Sequence, residues 1–348
     1  MHPFSDNTAM KIEELGEFGL IERLTKDFKP HNTSTVNGVG DDCAVMNYGD
    51  KEVVATTDML LEGIHFDLAY CPLKHLGYKA AMVNISDVCA MNAQPTQLLV
   101  SIGVSSRFSV EQIEELYAGI YLACDKAGVD VVGGDTCSSR TGLTISITCM
   151  GVVEKGKAVK RSGAKVNDLI CVTGDLGAAY MGLQLLMREN KIFQETGDND
   201  FQPDFAGKEY IIERQLKPEA CVDTVKFLRE HNVVPTSMID VSDGLSSELL
   251  HICKESGVGC AVYENKIPID YQTASMAEEF NMNLTTVAMN GGEDYELLFT
   301  VPLAEYEKVK DLEGIHVIGH ITDASEGQLL VTRDGQTFTL KAQGWKSF

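Results

Sequence analysis

The stretch of the sequence with the most potential chemistry runs from residue 40 to residue 66. Its candidate metal ligands, which lie at predicted turns and strand ends, are three carboxylates and two hydroxyls, on Asp41, Asp42, Thr56, Thr57 and Asp58. The first two carboxylates follow a glycine turn, and the others end a β-branched run that predicts a buried strand. Such oxygens are the ligands that Mg²⁺ prefers, although Asp and Thr are equally common in ordinary turns and helix caps. This stretch alone leaves a magnesium site and plain turn chemistry open.

Acidic residues flanked by glycine or threonine recur at turns and strand ends along the whole chain. The five segments are Gly40-Asp41-Asp42, Thr57-Asp58, Gly133-Gly134-Asp135-Thr136, Asp240-Val241-Ser242-Asp243-Gly244 and Gly291-Gly292-Glu293-Asp294. A sixth carboxylate, Asp87, lies in an apolar predicted helix on the same face as Asn84, where its burial is costly unless something pairs with it. One or two of these segments would be ordinary caps, but their recurrence predicts one shared site.

A shared acidic site has an electrostatic consequence. Two like charges 4 Å apart repel by about 1 kcal/mol in water and about 4 kcal/mol at an effective dielectric constant of 20. Several carboxylates in one cleft therefore require cations, which predicts several Mg²⁺ ions and a nucleoside triphosphate held through them. The chain has no Gly-x-x-x-x-Gly-Lys-Ser/Thr loop, no dinucleotide-binding glycine motif and no kinase His-Arg-Asp. Phosphoryl transfer here would depend on positioning and charge neutralisation.

The bulk properties restrict the class of protein. A length of 348 residues predicts two domains, at 1–154 and 155–348. With 51 acidic and 29 basic residues, the formal net charge of −22 disfavours nucleic acid and anionic membranes as partners. No apolar run approaches the roughly 18 residues of a membrane span, and the first residues do not resemble a signal peptide, so a cytoplasmic location is expected. The ten cysteines lack any Cys-x-x-Cys pair, which predicts buried free thiols.

Alternating helix and strand signals predict the elements that position the acidic candidate residues. Ser109, followed by Gln112, predicts a capped helix that ends near Gly128, and the helix at 74–92 carries Asp87. The other helices are predicted at 11–28, from 174 to about 189, and at 218–231, 244–256, 271–281 and 303–311, with a polar surface loop at 190–210. Strands are predicted around Asp58 and at 97–104, 129–132, 143–153, 169–173, 236–241, 259–263, 295–301, 315–322, 328–332 and 337–340.

Taken in order, these motifs resemble those of the thiamine-monophosphate kinase family, which belongs to the superfamily of aminoimidazole ribonucleotide synthetase. The matching segments are Gly16-Glu17-Phe18, Gly38 to Asp42, Thr56 to Phe66, Asn84 to Asp87, Gly133 to Thr136, Arg161-Ser162-Gly163-Ala164, Asp240 to Leu245, Gly291 to Leu297 and Trp345. The resemblance implies an α/β (α+β) fold of two domains. The N-terminal domain would contribute to a β-barrel that spans a homodimer, with an α/β domain behind it. The implied reaction transfers the ATP γ-phosphoryl group to thiamine monophosphate, the last step of thiamine diphosphate biosynthesis.

The resemblance also implies roles for individual residues. The Mg²⁺ ligands would be Asp42, Thr56, Thr57, Asp58, Asp87, Asp135, Asp240 and Asp243. ATP would be contacted by Tyr117, Gly134, Asp135, Arg161 and Ser242, and thiamine monophosphate by His65, Glu293 and Trp345. Catalysis would depend most on Asp58, Asp87, Asp243 and Arg161. Tyr117 is assigned from its spacing before Gly133 rather than from a motif. The chain departs from the family pattern at Asn92, where glycine is more common, and in its long 190–210 loop.

Four alternatives share some of these features. A cyclo-ligase of purine synthesis has the fold but lacks the Thr-Thr-Asp to His-Phe segment. Selenophosphate synthetase needs a reactive cysteine in an N-terminal glycine-rich loop, and none precedes Cys43. A hydrogenase-maturation relative carries a functional C-terminal cysteine, whereas this sequence ends in Ser347-Phe348. A non-catalytic metal or nucleotide sensor would bind without turnover, and no Asp-x-Asp-x-Asp-Gly calcium loop supports it.

Overall fold

The computed structural model describes residues 33–37, 40–196, 202–310 and 312–343, together with Gly19, Glu22 and Thr25. The helix predicted at 11–28 lies almost wholly outside these residues. Trp345 and the middle of the predicted 190–210 loop also lie outside them. Within the described residues, the chain forms two mixed sheets with helices packed on them.

The first half of the chain forms a six-stranded sheet with two long helices. Its strands are β1 (Thr35–Asn37), β2 (Ala44–Asn47), β3 (Lys51–Leu61), β4 (Gln94–Val104), β5 (Asp130–Ser138) and β6 (Thr144–Glu154). The helices are α1 (Leu73–Ala90) and α2 (Val110–Ala127). The strand order is β1-β2-β3-β6-β4-β5, and all neighbours are antiparallel except the parallel pair β4 and β5. Strand β5 is therefore an edge of the sheet.

The second half forms a seven-stranded sheet in the order β13-β12-β9-β11-β7-β10-β8. Its strands are β7 (Leu169–Thr173), β8 (Ser237–Asp240), β9 (Gly259–Tyr263), β10 (Leu297–Val301), β11 (Ile315–Thr322), β12 (Gln328–Val331) and β13 (Thr337–Thr339). Its helices are α3 (Ala178–Thr196), α4 (Glu209–Leu216), α5 (Val222–Glu230), α6 (Leu245–Ser256), α7 (Tyr271–Glu279), α8 (Leu284–Asn290) and α9 (Tyr306–Val309). The boundary predicted after residue 154 falls between β6 and β7 and stays a prediction.

Helix α1 is the element that both halves share. It contacts β3 and β6 of the first sheet and β8 of the second. Fourteen of its residues are buried, from Leu76 to Ala90, so it is apolar on nearly every face, as expected for a helix enclosed by other elements. One hydrophobic core joins its side chains to residues of both sheets.

Helices α1 and α2 pack unusually closely because each has a glycine at the contact. A Cβ atom on Gly77 would lie 1.9 Å from the carbonyl oxygen of Leu116, and one on Gly119 would lie 1.8 Å from that of Lys74. These distances leave no room for any side chain, so the backbones themselves are in contact.

Gly119→Ala is therefore expected to lower the free energy of unfolding by about 3 kcal/mol, because the helices must separate. The measurement is urea denaturation followed by circular dichroism. The matched control is Ala118→Gly on the exposed side of the same helix, which should cost only about 1 kcal/mol through helix propensity. Equal stability of the wild type and Gly119→Ala would contradict the close packing.

Most predicted elements are confirmed, including the capped helix. Ser109 Oγ accepts from the backbone N–H of Gln112 at 3.4 Å, the Gln112 side chain accepts from the Ser109 N–H at 2.9 Å, and Gly128 ends the helix in a left-handed conformation. Asn92 also takes a left-handed conformation (φ 55°), at the end of α1. This explains why glycine suits that position and why asparagine, which tolerates it, can replace it.

Three predictions about elements were wrong. Residues 190–196 continue α3, and α4 begins at Glu209, so much of the predicted 190–210 loop is helical because a polar surface segment can still favour a helix. The helix predicted at 218–231 begins only at Val222, after Pro218. Strand β5 does not end at the glycine pair but runs through it. A Cβ on Gly134 would lie 1.7 Å from the Val100 oxygen, so only glycine fits there.

No helix in the described part of the chain is long and apolar enough to cross a membrane. All ten cysteines are free, and eight of them are buried, which confirms the expectation of buried thiols for those eight. Cys221 is partly buried and Cys137, on the edge strand, is exposed.

Candidate active site

Three carboxylates from distant parts of the chain meet between the two sheets. Asp42 precedes β2, Asp87 lies in α1 and Asp240 ends β8. Each offers one carboxylate oxygen, and these three oxygens all lie within 4.8 Å of one another. We call this set, together with the adjacent Asp58 of β3, the acidic cluster. Its members come from both halves of the chain, so the cluster exists only where the halves meet.

Helix α1 holds the acidic cluster through three polar residues within one turn. Asn84 accepts a hydrogen bond from the backbone N–H of Asp58 at 3.0 Å. Ser86 donates to Asp240 Oδ2 at 2.5 Å, and Asp87 Oδ2 accepts from Thr56 Oγ1 at 2.6 Å. The helix therefore contacts β3 of the first sheet and β8 of the second through neighbouring side chains. These contacts orient the carboxylates of Asp87 and Asp240 and hold the backbone of Asp58.

Arg161 is the cation closest to the acidic cluster among the ion pairs of the described residues. Its guanidinium donates to both oxygens of Asp42, at 2.8 and 3.3 Å, in a bidentate pair. Its backbone N–H donates to Asp41 at 2.8 Å, so both carboxylates of the Asp-Asp turn orient this arginine. The loop behind it is fixed by Ser256 Oγ, which accepts from the N–H groups of Gly163 and Ala164.

One arginine does not neutralise the acidic cluster, and the pKa values show this. Burial, reinforced by the charge of Asp42, raises the pKa of Asp58 from 3.8 to about 6 and that of Asp240 to about 7. Burial and the charges of Asp58, Asp240 and Asp42 raise the pKa of Asp87 well above its usual range. Burial also raises the pKa of Asp42, and Arg161 opposes that rise. Folding therefore brings together carboxylates whose negative charge needs additional positive charge to balance it.

The donor set fits Mg²⁺. It consists of buried carboxylate oxygens at mutual distances that one or more divalent ions would bridge, and no histidine or thiolate belongs to the set that the described residues form. Burial and mutual repulsion disfavour the charged forms of these carboxylates, and a bound cation would favour them. Asp42, Asp58, Asp87 and Asp240 are thus the residues that could hold the metal.

A cleft of about 830 Å³ opens beside the acidic cluster. Its lining includes Asp58, Asp87, Asp240, Ser242, Asp243, His65 and Glu293. His65 Nδ1 accepts a hydrogen bond from the Leu61 backbone N–H at 3.0 Å, which leaves Nε2 as the protonated nitrogen. Apolar side chains from α3 and α8, among them Leu183, Met187 and Val287, form the far wall. The cleft thus joins an acidic end to an apolar end.

Ser242 and Asp243 are positioned by a buried glutamate that sequence reasoning missed. Glu248, in the first turns of α6, accepts from the backbone N–H groups of both residues, at 3.1 and 2.8 Å. Burial and the charge of Asp243 raise the pKa of Glu248 well above its usual range. The Asp-Gly sequence before α6 allows this turn, since Gly244 has φ 116°.

Other residues were also missed. Ser86 lies between two motif residues that were recognised, and its contact with Asp240 depends on tertiary packing. Lys79 and Gln215 contact Glu293. A lysine within the apolar run of α1, two helical turns before Asp87, is the sequence signal that could have identified the first of these.

Within one copy of the chain, four of the expected site residues lie away from the acidic cluster. Successive side chains of a strand point to opposite faces. Thr56 and Asp58 face α1, so Thr57 faces the other side, where its Oγ1 donates to the Ile147 oxygen at 3.0 Å. Tyr117, Gly134 and Asp135 line a separate shallow depression on the edge strand β5. Asp58 and Gly134 share a row across β3, β6, β4 and β5, which separates them by about 14 Å.

Comparison with known protein families first identifies the class of protein to which this chain is similar. Residues 40–153, which contain the first sheet from β2 to β6, match the family model "AIR synthase related protein, N-terminal domain". The first sheet and its two helices therefore have the fold of the N-terminal domain of the AIR synthase-related proteins.

Relatives over the full length are more specific. The thiamine-monophosphate kinase of Aquifex aeolicus (strain VF5) is 33% identical, with 97% of this chain and 100% of the relative covered. That of Bacillus subtilis (strain 168) is 33% identical, with 96% and 100% covered. The solved structure "AaThiL complexed with AMPPCP and TMP" has a TM-score of 0.83 and 32% identity, with 98% and 100% covered. The chain belongs to the thiamine-monophosphate kinase family, a family of phosphotransferases.

Proposed function

We propose that this chain transfers the γ-phosphoryl group of ATP to the phosphate of thiamine monophosphate, which gives thiamine diphosphate and ADP. The observation that carries the proposal is the convergence of Asp42, Asp87 and Asp240 within 4.8 Å at one end of a cleft of about 830 Å³. Two phosphate-bearing substrates need concentrated positive charge, and such a carboxylate set would supply it through bound ions. The similar AaThiL structure, a complex with AMPPCP and TMP, supports an ATP analogue and thiamine monophosphate as ligands.

The acceptor needs no general base. The second pKa of a phosphate monoester is near 6, so the acceptor is mostly dianionic at pH 7 and already nucleophilic. We infer direct in-line attack on the γ-phosphorus, without a phospho-enzyme. The acidic cluster and Asp243 would hold Mg²⁺, which would neutralise the repulsion between the two anions. Thr56 orients Asp87, Arg161 adds a fixed positive charge, and Ser242 lies where it could contact ATP.

The acceptor would occupy the cleft beside His65 and Glu293, both of which line it. The role expected for Trp345 stays a prediction, as does the cytoplasmic location. Incubation of the protein with ATP, Mg²⁺ and thiamine monophosphate is expected to release ADP and thiamine diphosphate in equal amounts, measured by chromatography. Binding of ATP and Mg²⁺ without product would select the sensor alternative instead.

We also propose that the working enzyme is a homodimer. Strand β5 is exposed along nearly its whole length and is the unpaired edge of its sheet. Val132 on this strand and Met59 on β3 are large apolar side chains that are more than half exposed. A second copy covering this face would remove the exposed edge. It would also bring Tyr117, Gly134 and Asp135 of one copy towards the cleft of the other.

A mixing experiment tests this arrangement. Asp87→Asn and Asp135→Asn are each expected to be inactive alone. If each site takes Asp87 from one copy and Asp135 from the other, an equimolar mixture should recover about a quarter of the wild-type activity, because half of the dimers contain one native site. The variants should be mixed under conditions that exchange subunits. No recovery, with exchange shown by mass spectrometry after labelling one variant with ¹⁵N, would rule out a site shared between copies.

A further inference from the structure

Lys79 is a buried lysine that the proposed chemistry does not use. It lies in α1, is 4% exposed and lines the cleft. Lysine is almost never fully buried unless it is paired. Its Nζ lies 2.9 Å from Glu293 Oε1 and donates to the backbone oxygen of Gln215 at 3.3 Å. The ammonium group is therefore held by an acidic residue already assigned to the substrate.

Glu293 is fixed from both sides. Its second oxygen, Oε2, accepts from Gln215 Nε2 at 3.0 Å, and its backbone N–H donates to the Ser242 oxygen at 2.6 Å. Its backbone is in the left-handed region (φ 58°), which a non-glycine residue adopts only when its surroundings enforce it. About a third of the side chain (32%) stays exposed, and because Glu293 lines the cleft, the carboxylate is available to a ligand in a single orientation.

The combined charge of Lys79 and Glu293 restricts which part of a ligand the Glu293 carboxylate can recognise. Lys79 balances Glu293, so the two side chains together are neutral and Glu293 is not a free counter-charge for a cation. A carboxylate has about four lone-pair positions, and the two contacts with Lys79 and Gln215 leave others open. The group is therefore suited to accept a hydrogen bond from a neutral N–H donor rather than to pair with the thiazolium ring.

The position of Lys79 along α1 places the Lys79–Glu293 pair at the end of the cleft away from the acidic cluster. Lys79, Val83 and Asp87 all line the cleft and follow one another at intervals of four residues, on one face of the helix. Eight residues of helix span about 12 Å. An acceptor whose phosphate lies at the acidic cluster would therefore extend its heteroaromatic end towards Glu293.

We propose that Lys79 is a positioning residue for substrate specificity. With Gln215 it orients Glu293 so that the carboxylate accepts a hydrogen bond from the exocyclic amino group of the acceptor's pyrimidine ring. This inference rests on the proposed function. Lys79 itself does not touch the reacting phosphates, so its effect is on acceptor recognition and not on phosphoryl transfer.

The test is steady-state kinetics of Lys79→Met, Glu293→Gln and the double variant. Each single change is expected to raise KM for thiamine monophosphate about tenfold, with kcat and KM for ATP within about twofold of wild type. The double variant should resemble either single variant, because both act through one carboxylate. The matched control, Lys74→Met, removes an exposed lysine from the same helix and should behave as wild type.

A second readout separates recognition from mere stability. An acceptor with a carbonyl oxygen in place of the amino group (oxythiamine monophosphate) should be a poor substrate for the wild type. Lys79→Met should reduce the ratio of kcat/KM between the two acceptors by about tenfold. A purely structural role for Lys79 would lower both values together, and that result would overturn the inference.

The remaining outcomes are also decisive. Multiplicative effects in the double variant, or an unchanged KM in both single variants, would overturn the role of Lys79. If Lys79→Met does not fold because Glu293 is left without its cationic partner, the double variant is compared with Glu293→Gln alone, and equal KM values support the inference. Wild-type protein that gives no ADP with thiamine monophosphate, ATP and Mg²⁺ would overturn the proposed function itself, which is a distinguishable result.

Discussion

Replacing Asp87 by asparagine is expected to lower kcat/KM by about a thousandfold or more, equivalent to several kcal/mol of transition-state stabilisation. Asp87 contributes an oxygen to the acidic cluster from the last turn of α1, where it is the carboxylate that the helix provides to the cluster. Asparagine has the same shape and can still accept the hydrogen bond from Thr56, so the fold should be retained. What is lost is one negative charge at the cation site.

The same substitution is expected to raise the melting temperature of the metal-free protein. Burial, together with repulsion from Asp58, Asp240 and Asp42, raises the pKa of Asp87 well above its usual range. Removing its charge relieves that repulsion, so loss of activity and gain of stability should occur together. ADP release and thermal melting in EDTA measure the two effects. The control is Asp125→Asn, an exposed aspartate on α2. More than a tenth of wild-type activity in Asp87→Asn would contradict the assignment.

In the absence of divalent cations, the protein is expected to become less stable as the pH rises from about 4 to about 7. A carboxyl group with a raised pKa keeps its proton in the folded state at pH values where the unfolded chain has lost it. Stability therefore declines from pH 3.8, the ordinary value, up to the folded pKa of about 6 for Asp58 and about 7 for Asp240. Each pKa unit corresponds to about 1.4 kcal/mol, so the total is several kcal/mol.

Thermal melting in EDTA at a series of pH values tests this expectation, and the melting temperature should fall by about 5 °C across the range. Saturating Mg²⁺ should reverse the trend, because bound cations favour the ionised carboxylates, so the stabilisation by Mg²⁺ should be larger at pH 8 than at pH 5. Asp87→Asn should show a shallower decline than the wild type. A melting temperature in EDTA that rises with pH would show that the acidic cluster does not dominate the titration.

The sequence was sufficient to predict where chemistry could occur, because glycine-flanked carboxylates at strand ends are a local signal. Asp42, Asp87 and Asp240 do meet, as their recurrence predicted. Which face each strand residue presents is a weaker signal, since it depends on register. Thr56 and Thr57 look equivalent in sequence, yet only Thr56 contacts Asp87.

The positions that could not be predicted depend on packing between distant segments. Asp135 has the same glycine-flanked pattern as the clustered carboxylates, but β5 is the edge strand, which is a property of strand order and not of local sequence. The contact between Lys79 and Glu293 joins residues more than two hundred positions apart. The α4 helix was missed because eight residues are too few to show a clear helical period, and its packing against α3 is what stabilises it.

The attachment of α1 to both sheets has a mechanical consequence. Because Ser86 of α1 holds Asp240 of the second half, hinging the two halves apart would break this hydrogen bond and disperse the carboxylates. We therefore expect the cleft to open for substrates by displacement of its far wall, formed by α3 and α8. Helix α1 and the acidic cluster would stay in place. A cation held by Asp42 of the first half and Asp240 of the second would then stabilise the contact between the halves.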